Sequence, residues 1–101
     1  MQMEINMTSK ERAFLRSKAN PLEAIINVGK ESASPEVVSA VDEALTKREL
    51  IKINILKNCD DDKREIADLI ALRTKSEVIQ IVGRKVTLYR RNQKIDRYKI
   101  V

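Results

Sequence analysis

The residues best placed to meet a ligand are the cations of the last eighteen positions, RKVTLYRRNQKIDRYKIV, where seven lysines and arginines face a single acid, Asp96. This run carries +6, while the whole 101-residue chain has a formal net charge of +5, which leaves residues 1 to 83 at −1. Charge gathered in one stretch sums into a local field that the same charge spread evenly does not produce. Arg84, Lys85, Arg90 and Arg91 are the densest part of it. An edge strand protected against aggregation accounts for two or three such charges but not for seven, so the expected chemistry is the binding of a polyanion. Tyr89 lies among these cations and could stack on a base, although a lone tyrosine in a strand more often packs its ring in the core.

Other candidate chemistry is weaker. In the loop VGKES, Gly29 would let backbone amides approach a phosphate, Lys30 adds charge, and the helix that follows offers unpaired N–H groups. An ordinary strand-to-helix turn uses the same residues, and the stretch is far from a P-loop pattern. Asp60, Asp61 and Asp62 splay around a helix start, where acids favour the helix dipole, so no metal site is expected from them. Cys59 stands beside these acids, which do not favour a thiolate. The chain has no histidine and one cysteine, so the common four-ligand zinc sites are excluded, and so is an internal disulfide. No nucleophile–base pair and no glycine-rich nucleotide loop is present, so neither an enzyme nor a small-molecule substrate or cofactor is expected. Arg12 and Arg16 read as a solvated helix face, of interest only if that face adjoins the other basic elements.

The elements that must position these residues follow from periodicity. TSKERAFLRSKA, residues 8 to 19, reads as a helix, with Thr8 and Glu11 at capping-box spacing. Phe14, Leu15 and the stem of Lys18 share its inner side, and Arg12 and Arg16 its outer side. EAIINVG (23 to 29) is a short strand. A helix opens at Ser34-Pro35 and runs to Lys47 and Arg48, with Val37, Val38, Val41, Ala44 and Leu45 forming its buried stripe. ELIKINILKN (49 to 58) alternates, with Ile51, Ile53 and Ile55 on one face, as a half-buried strand does. CDDDKREIADLIALRT gives a third helix that buries Ile66, Leu69 and Ile70. EVIQIVG and KVTLYR are strands joined by a tight hairpin at Gly83-Arg84. RNQKIDRYKIV, with weak alternation, is either a fifth strand or a mobile tail. The order helix-strand-helix-strand-helix-strand-strand implies a two-layer α/β domain with a mixed four-stranded sheet.

With these residues in place, LRSKANPLEAIINVGKESASPEVVSAVDEALTKRELIKINIL and VIQIVGRKVTLYR together resemble the CRM domain (chloroplast RNA splicing and ribosome maturation) in its bacterial single-domain YhbY-like form. The match runs from Thr8 to Arg91, with residues 1–7 as an N-terminal extension and 92–101 as a basic tail. The resemblance implies a fold similar to the C-terminal domain of translation initiation factor three. It also implies RNA binding, in association with the precursor of the large ribosomal subunit. The family's binding loop is a GxxG motif, comparable to the one by which KH domains clamp a nucleic-acid backbone. Gly29 and Lys30 match its first two positions, Ser32 replaces the second glycine, and Glu31 introduces an acid. A side chain at position 32 restricts φ, so the loop is expected to contribute less, and the basic hairpin and tail more.

The expected function is therefore that of a non-catalytic, monomeric RNA-binding protein of large-subunit assembly. It would contact phosphates through Lys30, Arg84, Lys85, Arg90 and Arg91, with Arg12 and Arg16 beside them on one continuous surface. The alternative is a protein-interaction module whose basic strand docks on an acidic partner. A third reading, non-specific binding to duplex DNA, lacks an evident recognition helix. The polar start MQMEINMTSKER and the absence of any long apolar stretch point to a cytoplasmic location and away from the membrane.

Overall fold

The computed structural model describes residues 7–99. Helix α1 (Ser9–Ala19) leads to strand β1 (Ala24–Val28), α2 (Pro35–Arg48), β2 (Leu50–Ile55), α3 (Lys63–Thr74) and the hairpin strands β3 (Glu77–Val82) and β4 (Lys85–Tyr89). The sheet order is β1-β2-β4-β3, with β1 and β2 parallel and the other neighbours antiparallel. The α/β class, the element order and the mixed four-stranded sheet are those expected from the sequence. Among the described residues, no helix is long and apolar enough to cross a membrane.

Each helix begins where local chemistry satisfies its free amides. Thr8 Oγ1 accepts the Glu11 amide at 3.0 Å and Glu11 Oε1 accepts the Thr8 amide at 3.0 Å, a complete capping box. Ser34 caps α2 with Pro35 at its first position, and Asp62 caps α3 by accepting the amides of Arg64 and Glu65. At the hairpin, Val82 pairs with Lys85, so the loop is the two residues Gly83 and Arg84. Gly83 supplies the positive φ, +60°, that such turns demand.

Alternation in the strands divides the core in two. Ile51, Ile53 and Ile55 of β2, with Val86 and Leu88 of β4, face α2 and α3 in the main cluster. Leu50, Ile79 and Tyr89 point the other way and meet Leu15 and Ala19 of α1. The two-layer arrangement thus describes the sheet with α2 and α3, and α1 adds cover on the opposite face. It covers only the end of the sheet where β2 begins and β4 finishes. A bulge between Val78 and Gln80 keeps both Val78 and Ile81 toward the main cluster while Ile79 reaches α1.

The inner side of α1 differs from the expected one. Leu15 and Ala19 are buried, Phe14 is 40 % exposed with Lys18 Nζ 5.5 Å from its ring centroid, and Arg12 is half-buried. Phe14 and Leu15 lie about 100° apart on a helix and cannot both point at a flat sheet, whereas Leu15 and Ala19 are only about 40° apart. The small Ala19 lets the helix approach closely, and Arg12 flanks that stripe rather than opposing it.

Over its described part the segment after β4 forms no fifth strand and makes anchoring hydrogen bonds to α2 and its C-terminal cap. Glu49, fully buried between α2 and β2, accepts the backbone amides of Asn92 at 2.8 Å and Arg97 at 2.7 Å. Asn92 Nδ2 donates to the Thr46 carbonyl, and Tyr98 packs edge-on against Tyr89. Residues 100 and 101 of the expected tail, and 1 to 6 of the expected N-terminal extension, lie outside the described residues; Met7 packs partly buried against the α1 cluster.

Candidate nucleic-acid interface

The strands deliver the candidate residues to two opposite ends of the sheet. At one end, which we call the loop end, β1 and β2 finish and the hairpin turns. The Leu56 amide donates to the Val28 carbonyl, and the Ile55 amide to the Arg84 carbonyl, both at 2.8 Å. Segments 29–32, 56–62 and 83–84 are thereby held side by side. They carry Lys30, Lys57, Lys63, Arg84 and Lys85, all exposed. Lys63 Nζ donates to the Gly83 carbonyl at 2.6 Å, and Arg84 Nη1 lies 3.5 Å from the Leu56 carbonyl. None of these five is ion-paired to a carboxylate among the described residues.

The two motif positions of segment 29–32 are constrained in different ways. Gly29 is buried, and a Cβ there would stand 3.1 Å from Asn58 Oδ1 and 3.3 Å from a Glu31 oxygen, so a side chain would require both to shift by a few tenths of an ångström. Ser32 takes the positive φ, +54°, that the second glycine of a GxxG loop would adopt easily. Its hydroxyl donates to Asp61 Oδ2 at 2.7 Å, which ties the loop to the start of α3 and offsets part of the conformational cost. The restriction expected from a side chain at position 32 is thus overcome locally. Glu31 Oε2 accepts the Gly29 amide at 3.3 Å, so a carboxylate already sits on one amide an incoming phosphate could use. Asp62 is occupied in capping, and among the described residues no group of three or more acids, cysteines or histidines is arranged to hold a metal ion.

The other end holds Arg90, Arg91 and Arg12, each already engaged. Arg90 Nη1 donates to Asp42 Oδ1 at 2.6 Å and the Thr74 carbonyl at 2.7 Å, and Nη2 to the Asp42 carbonyl and Thr46 Oγ1. Four acceptors from α2 and α3 make this guanidinium a clasp between β4 and both helices. Arg91 pairs with Asp96, and Arg12 pairs with Glu77 at 2.6 Å while donating to the Val78 carbonyl. Arg16, one helical turn beyond Arg12, has no ion pair among the described residues. Six residues of extended chain separate Arg84 from Arg90, about 20 Å. The expected single surface through Lys30, Arg84 and Arg90 is therefore not formed, because residues at the two ends of one strand cannot converge.

Tyr89 is fully buried, and its hydroxyl finds no hydrogen-bond partner among the described residues. Burial first, and then the neighbouring Glu49 carboxylate, push its phenol up to about 12. It is a core residue and not a stacking platform. Sequence reasoning missed Glu49 and Asp61: their partners lie 29 to 48 residues away, beyond any local signal.

The pattern of the CRS1 / YhbY (CRM) domain family matches residues 7–90 of this chain. The chain belongs to that family. Among its relatives, the Bacillus subtilis protein named "Probable RNA-binding protein YqeI" is 37% identical over 87 residues, which cover 86% of this chain and 91% of YqeI. "Probable RNA-binding protein MJ0652" of Methanocaldococcus jannaschii is 41% identical over 86 residues, 83% of this chain and 63% of the relative. The solution structure of SAV1595, a hypothetical protein of Staphylococcus aureus for which RNA binding has been suggested, superposes with a TM-score of 0.73 at 35% identity. That match covers 85% of this chain and 90% of SAV1595.

Proposed function

We propose that this chain is a non-catalytic, cytoplasmic RNA-binding protein that acts as a monomer on ribosomal RNA in the precursor of the large subunit. The observation that carries RNA binding is the set of unpaired cations, Lys30, Lys57, Arg84 and Lys85, around the 29–32 loop, in a chain whose family relatives are named for RNA binding. Phosphates would lie against Lys30, Arg84 and Lys85, with Gly29 and Ser32 shaping the loop that presents Lys30, while Arg16, on α1 at the opposite end, stands apart from this group. Arg12, Arg90 and Arg91 act through the fold, since an ion-paired guanidinium must lose its partner before it can take a phosphate.

Sedimentation of the tagged chain from its host's lysate is the direct test. Migration with large-subunit precursors, abolished by nuclease, is expected. A chain that stays with a protein partner undiminished after nuclease treatment would overturn the proposal and favour docking on an acidic protein.

A further inference from the structure

The face of the sheet opposite α2 and α3 is covered by α1 at one end only. Toward the loop end, register places Asn27 beside Asn54, Asn54 beside Lys85, Lys52 beside Thr87, and Thr87 beside Gln80. Asn54 Nδ2 lies 3.4 Å from Asn27 Oδ1, as expected of neighbours on one face. Thr87, between Lys52 and Gln80 on this face, is buried, while Asn27, Lys52, Asn54, Gln80 and Lys85 are open to solvent to differing degrees. These five are amides and lysines, none is an acid, and the exposed aliphatic side chains of Val82, beside Lys85, and Ile25, on the Asn27 side of β1, share the face with them. The nearest acid on this face, Glu77, lies under α1 and is paired with Arg12. By contrast, Glu31, Asp60, Asp61 and Asp62 crowd the adjoining loop end.

Resting on the RNA-binding reading above, we infer that this open half-face takes the minor groove of a base-paired RNA segment, with the loop end gripping the flanking phosphates. Two features select a duplex over a single strand. Single-strand platforms stack bases on aromatic rings, and this face has none: Tyr89 is buried, Tyr98 packs on it, and Phe14 lies on α1 beside Lys18. A four-stranded sheet also presents a broad surface about 15 Å across, which a wide, shallow A-form minor groove can admit and a deep, narrow groove cannot. Asparagine and glutamine amides both donate and accept, as recognition of a 2′-hydroxyl requires, and Lys52 and Lys85 supply the charge for phosphates.

The test is binding of the full chain to three probes of one sequence: a paired RNA stem, the same stem in DNA, and the unpaired RNA strand. The RNA stem should bind roughly tenfold or more tightly than either of the others. Lys52→Ala with Asn54→Asp should cost roughly tenfold on the stem, and Lys47→Ala, on the far side of α2, should cost nothing measurable. Asn54→Asp alone, which is nearly isosteric, serves should the double variant fold poorly. Equal or tighter binding of the unpaired strand or of DNA overturns the inference. So does an unchanged stem affinity in folded sheet variants when Arg84→Ala weakens binding, an outcome that leaves the RNA-binding proposal intact. Failure to bind any RNA overturns both.

Discussion

A single hydroxyl separates two explanations of the loop at Ser32. An L-residue in the left-handed region costs about 1–2 kcal/mol, and the bond from Ser32 Oγ to Asp61 offsets part of it. Ser32→Ala keeps the strain and loses the bond, so it should destabilise by about 1 kcal/mol. Ser32→Gly relieves the strain but adds freedom to the unfolded chain, and should fall within about 0.5 kcal/mol of the parent. Urea titrations of the two variants check this, and equal losses would show that the bond to Asp61, and not the backbone, dominates. Tyr89 offers a second case. With its phenol pushed up from 10 to about 12, the neutral form is the one the fold favours, so its contribution is complete below pH 10 and lost as the pH rises toward 12. Tyr89→Phe removes a buried hydroxyl that has no partner, should stabilise by about 1 kcal/mol, and should flatten the stability profile between pH 10 and 12.

At the scale of elements, two side chains hold the end of the sheet remote from the loop. Glu49, at φ +66°, closes α2 and fixes the following tail through two amides, and Arg90 staples β4 to both helices of the main layer. Glu49→Gln keeps one acceptor and turns a donor toward the second amide, which should cost about 2 kcal/mol and speed hydrogen exchange at Asn92 and Arg97. Unchanged exchange at those amides would show that the tail is held by Tyr98 instead. The elements themselves were legible, because periodicity, caps and the glycine turn are written in adjacent residues: Thr8 with Glu11, Ser34 with Pro35, and Gly83 with its flanking strands. The pairings at Glu49 and Arg90 were not, since a carboxylate seeking amides 43 and 48 residues away leaves no spacing to read. The buried side of α1 was misjudged for a related reason. A helix with two adjacent apolar residues, Phe14 and Leu15, has two candidate faces, and only the sheet it meets decides between them.

Across the whole molecule, two cations of the basic run, Arg90 and Arg91, are taken up in ion pairs with Asp42 and Asp96, while Arg84 and Lys85 join Lys30 and Lys57 as an exposed group at the loop end and Lys94, Arg97 and Lys99 of the tail are exposed elsewhere. Arg84 and Arg90 flank β4 six residues apart, yet their removal should register in different measurements. If four phosphates of a duplex segment are neutralised at the loop end, log K should fall against log salt with a slope of about −3.6, roughly a 150-fold loss from 50 to 200 mM. Arg84→Ala should make that slope shallower by about 1 and leave the melting temperature within a degree or two, because the side chain holds only a marginal contact with the Leu56 carbonyl. Arg90→Ala abandons Asp42, Thr46 and the Thr74 carbonyl and should cost about 2–3 kcal/mol, a drop in melting temperature of roughly 10 °C or more. Its salt slope, measured at a temperature where the variant is still folded, should equal the parent's. A reversal, in which Arg90→Ala flattens the slope and Arg84→Ala does not, would place the polyanion at the α1 end and require the Asp42 pair to open on binding.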